Sequence, residues 1–599
     1  MSQWREVVAR RLASIHDSAV DKRMDLADAI RRFVRPGMKI NPVTMQARPQ
    51  AAMYEICRRY AGLSPGFEFI SSALSGSYLQ LAHLGLLRRA VVSFAGEGYP
   101  TPGPSPVTRW ALERGDFEIE NWTMLTIAQR LLAGAMGVPF LTTRSLTGSS
   151  LATERQATGD YAELPDPFVA GGVQGVIRAY RPDIAFVHVW AADRAGNAVC
   201  FPPFQENVYG ALAARQGVVL TAHKLVSTDF IRRHSHLVRI PAGIVLSVSE
   251  VPYGSHPYGN YSTGIPQLRA YANDYAFMKE HREAQSARDR YDDWIGEWIL
   301  DTRDQDAYLA RLGNERLRAI HRAAEPDSWQ EDLQRHSATL DQERPAGSVE
   351  EMIVQAAREA ARRIATNGYR AVLAGAGQAS LMCWLAAHLL RGEGVEFALL
   401  AETGMYGFDP RPGDPFLTSY RNLPTCTMLT DVFEALGLHG CGGANACMGT
   451  IGAGEIDRHG NVNSTRTATG EFLVGSGGAN DIVTSAAETV VVAVQRAQTF
   501  VERVSYVTSP GTKVRCVIST MGRFEKRGGD ELVLTGYFAA MGRDRAQAVA
   551  AIRQRCGWDL KVSDELQELQ PASAEELSLL RVFDPERFFL GKPADKQPA

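Results

Sequence analysis

Cysteine is scarce in this 599-residue chain: there are eight, and none forms a C-x-x-C pair. Even Cys441 and Cys447 are too far apart for one, so a disulfide scaffold, a structural zinc and a dithiol redox motif are not expected. Charge of one sign is lacking too. With a formal net charge of −3, neither nucleic acid nor an acidic membrane surface is an expected partner. No apolar run approaches the roughly 20 residues of a membrane helix. Met1-Ser2-Gln3-Trp4-Arg5-Glu6 does not have the basic-then-apolar order of an export signal. A cytoplasmic location is the expectation. Walker A and G-x-S-x-G sequences are absent. His234-Ser235-His236 has a spacing that cannot put two imidazoles on one helix face, so no metal site is expected.

What is present is a repetition. Asp193-Arg194-Ala195-Gly196-Asn197 returns as Asp457-Arg458-His459-Gly460-Asn461, each after an apolar, strand-like run. Gly supplies positive φ at no steric cost, and Asp and Asn side chains bond neighbouring backbone, so each copy reads as a tight turn. The copies are much too far apart for a solenoid repeat. They predict two related α/β domains in one polypeptide, with a site between them. The length agrees, since single cores stop growing at roughly 250–300 residues.

The fold class expected is α/β, with two related, open, mostly parallel-sheet domains joined by a helical connector. Residues 1–35 read as a charged amphipathic helix ending before Pro36-Gly37, and from Met38 to about Ala270 short β-rich runs alternate with helical patterns, as in Ile184 to Trp190 and Met124 to Met136. Residues 271–345 turn rich in Arg, Asp, Glu and Gln, with Tyr291, Trp294, Ile295, Trp298 and Ile299 at helical spacing. That stripe reads as connector packing. A second α/β unit occupies 346–560, starting with Ser348 as an N-cap, and a charged extension follows over 561–599, its tail loose after Lys592.

Three glycine-rich turns in the second half carry possible chemistry. Gly375-Ala376-Gly377-Gln378 sits between a strand and a helix, where backbone amides can cradle an anion. It lacks the third glycine of a dinucleotide fingerprint, Ser380 standing in that place. Ala401-Glu402-Thr403-Gly404-Met405-Tyr406-Gly407 follows a central-strand run, Phe397 to Leu400. Ligands of open α/β sheets bind beyond the carboxyl ends of strands, so Glu402 is a candidate nucleophile or base. Gly475-Ser476-Gly477-Gly478-Ala479-Asn480-Asp481 frees several N–H groups to point one way, the material of an oxyanion hole, or else caps the helix that follows.

Taken together, these segments resemble family I CoA-transferases over most of the chain. Glu402 to Gly407 is similar to the segment bearing the family's catalytic glutamate, and Gly475 to Asp481 to its G-x-G-G-A-x-D loop. Gly454 to Asn463 resembles the family's β-type half. Arg130 to Phe140, Asp193 to Asn197 and Val251 to Pro257 resemble its α-type half, the last on the glutaconate CoA-transferase branch. The resemblance implies an α-type domain (1–270), a connector and a β-type domain (346–560) fused in one chain.

It also implies a ping-pong transfer of CoA from an acyl-CoA to a carboxylic acid through a glutamyl-CoA thioester on Glu402. Oxyanion donors would come from Gly477, Gly478 and Ala479. The CoA contacts implied are Gly375, Gly377, Gln378, Gly404, Gly407 and Asn463, and Glu97, Tyr253 and His256 would line the acid pocket. No tightly bound cofactor is implied; coenzyme A enters with the substrate and the covalent intermediate. A homo-oligomer, dimer or higher, is expected. Two features depart from the pattern: Lys39 to Thr44 has no glycine turn, and Ala95-Gly96-Glu97-Gly98 places a second carboxylate much as Glu402 is placed. The alternative reading is a hydrolase of a ring-cleaved CoA thioester on the same scaffold, which Glu402 disfavours. A non-catalytic acyl-CoA-binding protein is a third.

Overall fold

The computed structural model describes residues 3–13, 17–338, 340–440, 442–443 and 446–591; Cys441 and the tail after Lys592 lie outside them. Two open, mixed and largely parallel sheets with helices on their faces form the frame. In the first, a nine-stranded sheet, the strands are β1 (Lys39–Pro42), β2 (Phe67–Ile70), β3 (Leu87–Val92), β4 (Glu118–Asn121), β5 (Ile184–Ala192), β6 (Gly217–Leu225) and β7 (Val245–Glu250), with short antiparallel additions at Ala198–Val199 and Val238–Ile240. Their order is β7-β6-β5-β1-β2-β3-β4, all parallel. Every residue of β5 is buried, as a strand covered on both faces requires, and its apolar content follows from that.

The second sheet has ten strands. β8 (Ala371–Leu373) lies between β9 (Ala398–Ala401) and β12 (Cys447–Gly452), and β13 (Glu488–Ala493) and β14 (Val514–Ser519) continue the parallel run. On one edge β9 turns into the antiparallel β10 (Met405–Tyr406) and β11 (Met428–Leu429). On the other lie β15 (Gly522–Lys526), β16 (Leu532–Phe538) and β17 (Val562–Leu569). The segment read as an extension from 561 is thus built into this unit. Its strand β17 pairs with β16, and Leu580, Phe583 and Leu590 enter the second core.

Both D-R-x-G-N copies are hairpin turns. Asp193 Oδ1 accepts the N–H groups of Ala195, Gly196 and Asn197 at 2.9–3.0 Å; Asp457 Oδ1 accepts those of His459 and Asn461 at 3.0 and 3.1 Å. The strand pairs they join are antiparallel.

The connector is helical: Tyr275–Ala284, Arg288–Ile295, Gln305–Leu312, Asn314–Ala323 and Ser328–Ser337. Its stripe of Tyr291, Trp294, Ile295 and Ile299 is buried in the same core as Tyr54, Phe69 and Leu81 of the first unit, with Trp298 packed alongside. Each such large apolar side chain contributes about 1.5–3 kcal/mol on burial, so the connector is fixed to the first unit. The helix starting at Ser348 is capped one residue earlier than the sequence suggests: Glu350 closes back on the Gly347 N–H at 2.7 Å. Among the described residues no helix is long and apolar enough to cross a membrane.

Candidate active site

Glu402 stands at the carboxyl end of β9, beside the central β8. The chain reverses there within three residues, since Ala401 already pairs with Met405. Gly404 makes the reversal possible. Its φ is +107°, and a Cβ would strike the Thr430 carbonyl, so only glycine fits. The tight hairpin holds the Glu402 backbone, and the side chain enters a cavity.

The glycine loop of residues 475–478 meets it from the other side, and the first half holds that loop in place. Ala95 N–H donates to Val474 O (2.9 Å), Gly477 N–H to Ser93 O (3.0 Å) and Met124 N–H to Gly477 O (3.0 Å). Ser476 N–H donates to Asn121 Oδ1 at 3.1 Å, while Asn121 Nδ2 donates to Val92 O and Ser93 O. The helix that follows, Ala479–Ser485, is fixed likewise: Asp481 accepts from Leu125 N–H (3.1 Å) and Ser145 Oγ (2.6 Å), and Asn480 Oδ1 from Leu146 N–H (2.8 Å). A methyl group on Gly478 would overlap Oε2 of Glu402, so loop and carboxylate are in direct apposition.

The cavity, about 390 Å³, is lined from both halves by Ser72, Glu97, Met124 and Tyr258 on one side and Gly375, Glu402, Ser464 and Gly475 to Ala479 on the other. Glu402 is half-buried by surface area, but what it exposes faces this cavity, so it is shielded from bulk water. It accepts no hydrogen bond from the described residues. Burial therefore raises its pKa unopposed, and the charge of Asp481 raises it further, to about 7. Asp481 itself is pushed up to about 6 by burial, with its hydrogen bonds pulling the other way.

The first half treats the same position differently. β2 flanks β1 as β9 flanks β8, so the counterpart of Glu402 is Ser71–Ser72, not Glu97. There a buried carboxylate, Glu206, accepts from Ser72 N–H (2.6 Å), Thr44 N–H (2.9 Å) and Asn41 Nδ2 (3.3 Å). The Lys39 to Thr44 segment, which has no glycine turn, is thus tied to a buried carboxyl group of its own half. The two halves also exchange contacts reciprocally: Phe204 N–H donates to Thr430 O (2.8 Å) and Val432 N–H to Gln205 O (2.7 Å).

The residues singled out in the sequence divide. Glu402, Gly477, Gly478, Ala479, Gly375 and Glu97 line the cavity. Of the three amides, Gly477 N–H is committed to Ser93 O and Ala479 N–H to Ser476 O; Gly478 N–H has no acceptor among the described residues. Glu97 is 3% exposed, Oε1 has no hydrogen-bond partner among the described residues, and burial raises its pKa. Tyr253 and His256 do not line the cavity. Their polar atoms tie down the connector, Tyr253 Oη to His321 (2.9 Å) and His256 to Tyr308 (2.6 Å) and Asp274 (3.1 Å); their neighbours Pro257 and Tyr258 take the lining positions.

Gly377 and Gln378 are turned under Phe589, whose carbonyl accepts from Gln378 Nε2 at 3.2 Å. Gly404 and Gly407 shape the hairpin without reaching the cavity. Asn463 spends its amide on Glu455, Arg466 and Ser505, and Ser464 takes the lining position. Ser93 and Asn121, which hold the loop, carried no sequence signal, because their partners are more than 350 residues away. Among the described residues one acid and thiol group is close enough to suggest a metal, Glu359, Cys516 and Glu525, and it is filled by Arg363, which bonds both carboxylates.

Comparison with known proteins agrees with this architecture. Residues 23–250 match the family model described as Coenzyme A transferase. The A-type polypeptide of glutaconate CoA-transferase from Acidaminococcus fermentans is 26% identical over 312 residues, covering 50% of this chain and 94% of that polypeptide. The B-type polypeptide of the same enzyme is 30% identical over 175 residues, covering 25% of this chain and 62% of that polypeptide. An acyl-CoA transferase apoenzyme from Escherichia coli O157:H7 superimposes with a TM-score of 0.64 at 16% identity, covering 97% of this chain and 99% of that one, a likeness of fold.

Proposed function

We propose that the chain is a family I CoA-transferase, a fusion of an A-type and a B-type half, and that it moves CoA from an acyl-CoA to a carboxylic acid by a ping-pong mechanism on Glu402. The observation that carries this reading is the apposition of the Glu402 carboxylate, free of hydrogen-bond donors among the described residues, to Gly478 in a cavity shared by both halves. A carboxylate without donors is a better nucleophile than a solvated one, and its raised pKa adds basicity.

Glu402 attacks the thioester carbonyl, and the C–S bond breaks to give a mixed anhydride and CoA thiolate. The thiolate attacks the glutamyl carbonyl, which releases the donor acid and leaves a glutamyl-CoA thioester. An acceptor carboxylate then takes up CoA by the same steps reversed. No net proton is consumed. Each tetrahedral intermediate carries an oxyanion, for which the Gly478 N–H is the available donor; one such donor supplies about 2.7–4 kcal/mol. Gly375 contacts CoA in this reading.

The test is trapping. Incubation with an acyl-CoA followed by borohydride or hydroxylamine should modify Glu402. An unmodified Glu402, with steady release of free acid or of a C–C cleavage product, would replace transfer with hydrolysis.

A further inference from the structure

Arg48 is the one lysine or arginine among the residues that line the cavity, and the transfer chemistry above does not use it. It is half-buried. Its guanidinium lies 4.0 Å from the ring centre of Tyr258 and 5.5 Å from that of Tyr78, and Nη1 donates to Tyr258 Oη at 3.1 Å. Tyr258 is fixed in turn: its N–H donates to Ser255 O at 2.8 Å, and its hydroxyl sits so close over Gly76 that no side chain fits there. No carboxylate lies within salt-bridge distance of Arg48 among the described residues, and its remaining N–H groups have no acceptor there. Glu97 and Glu402, the carboxyl groups of this cavity, do not pair with it.

A guanidinium seated over one tyrosine ring and hydrogen-bonded to its hydroxyl keeps its remaining N–H groups oriented at small further entropic cost, an arrangement suited to a planar carboxylate. A cation left unpaired in such a cavity is unfavourable until an anion arrives. We propose that Arg48 binds a second carboxylate on the acyl group handled at Glu402, so that the substrates are dicarboxylic acids and their CoA thioesters. The proposal rests on the transfer reading for the role of Glu402, but the charge recognition can be measured without turnover.

The measurement is equilibrium binding in a Glu402→Ala background, comparing succinyl-, glutaryl- and adipyl-CoA with the monocarboxylic thioesters of equal chain length. The CoA part is common to each pair, so the ratio of Kd values reads the terminal carboxylate alone. With Arg48 present, the best of the three dicarboxylic thioesters is expected to bind about 10- to 100-fold tighter than its partner. In R48Q the ratio should fall to near 1, and in R48K it should recover in part, because charge returns without the fork. A ratio near 1 with Arg48 present, or one unchanged in R48Q, overturns the assignment, as does binding of neither class. If the preference holds while no thioester labels Glu402 in the unmodified enzyme, it is the transfer reading that falls and the Arg48 site that stands.

Discussion

The two halves share a plan yet end their central strands in opposite ways. In the first, the carboxylate at the strand ends is Glu206, and two backbone amides and Asn41 satisfy it. In the second, the carboxylate is Glu402, which no described residue satisfies, and the space before it is open. Both are pushed up by burial, but only Glu206 has hydrogen bonds pulling it down. The difference teaches that a buried acid becomes reactive by what is withheld from it. The same chemical group is a structural carboxyl in one half and a candidate nucleophile in the other.

The widest separation between the halves should appear on deletion. Glu402→Ala is expected to reduce transfer by about 10⁴-fold or more, read by steady-state assay and by loss of the trapped adduct. Glu206→Ala should retain the adduct per folded molecule; equal losses of chemistry in the two variants would break the comparison. Next comes the loop. Gly478→Ala puts a methyl into Glu402 and should cost about 10²–10³-fold in kcat. Gly477→Ala meets nothing within 4 Å and carries only the strain of a +53° φ, about 1–2 kcal/mol of stability. Equal kinetic damage at both positions would rule out the apposition as the cause.

A third contrast is in stability. Glu206→Ala leaves the Thr44 and Ser72 amides without an acceptor in the interior, for a loss of about 2–4 kcal/mol in denaturant unfolding. Glu402→Gln should do the reverse above neutrality. A carboxyl whose folded pKa of about 7 lies above its ordinary 4.5 supplies stability that is full below pH 4.5 and lost as pH rises through 7. Removing its charge should therefore stabilise the protein by about 1–3 kcal/mol at pH 8 and by nothing measurable at pH 4. The smallest effect is the pH profile. The acylation half-reaction needs ionised Glu402, so kcat/KM should fall as pH drops below about 7. Asp481→Asn, by removing the neighbouring negative charge, should move that limb to lower pH; a limb that stays put would exclude Asp481 as its cause.

Much of this was legible in the residues. The paired D-R-x-G-N turns announced two related units, because an Asp that accepts several successive amides is a local arrangement needing no distant partner. The helical stripe from Tyr291 to Ile299 announced packing, and Glu402 with its following glycines announced a strand-end site. Where the structure turns a polar candidate away from the cavity, one cause recurs. Tyr253, His256, Gln378 and Asn463 have the right chemistry near the right place, but hydrogen bonds to His321, Tyr308, Phe589 and Glu455 had already used their polar atoms. Glu97 resembles Glu402 in its local glycines but follows a different strand.

The sequence by itself determined the turns, the two-unit plan and the acid at 402, since each rests on backbone preferences and apolar periodicity within a few residues. Tertiary structure alone decided which of several glycine amides stayed free among the described residues, which carboxylate went unsatisfied by them, and that Arg48 reached the cavity with no counter-ion from them. Those outcomes depend on contacts between residues hundreds of positions apart, and local chain preferences carry no information about where a distant donor or acceptor will finally lie.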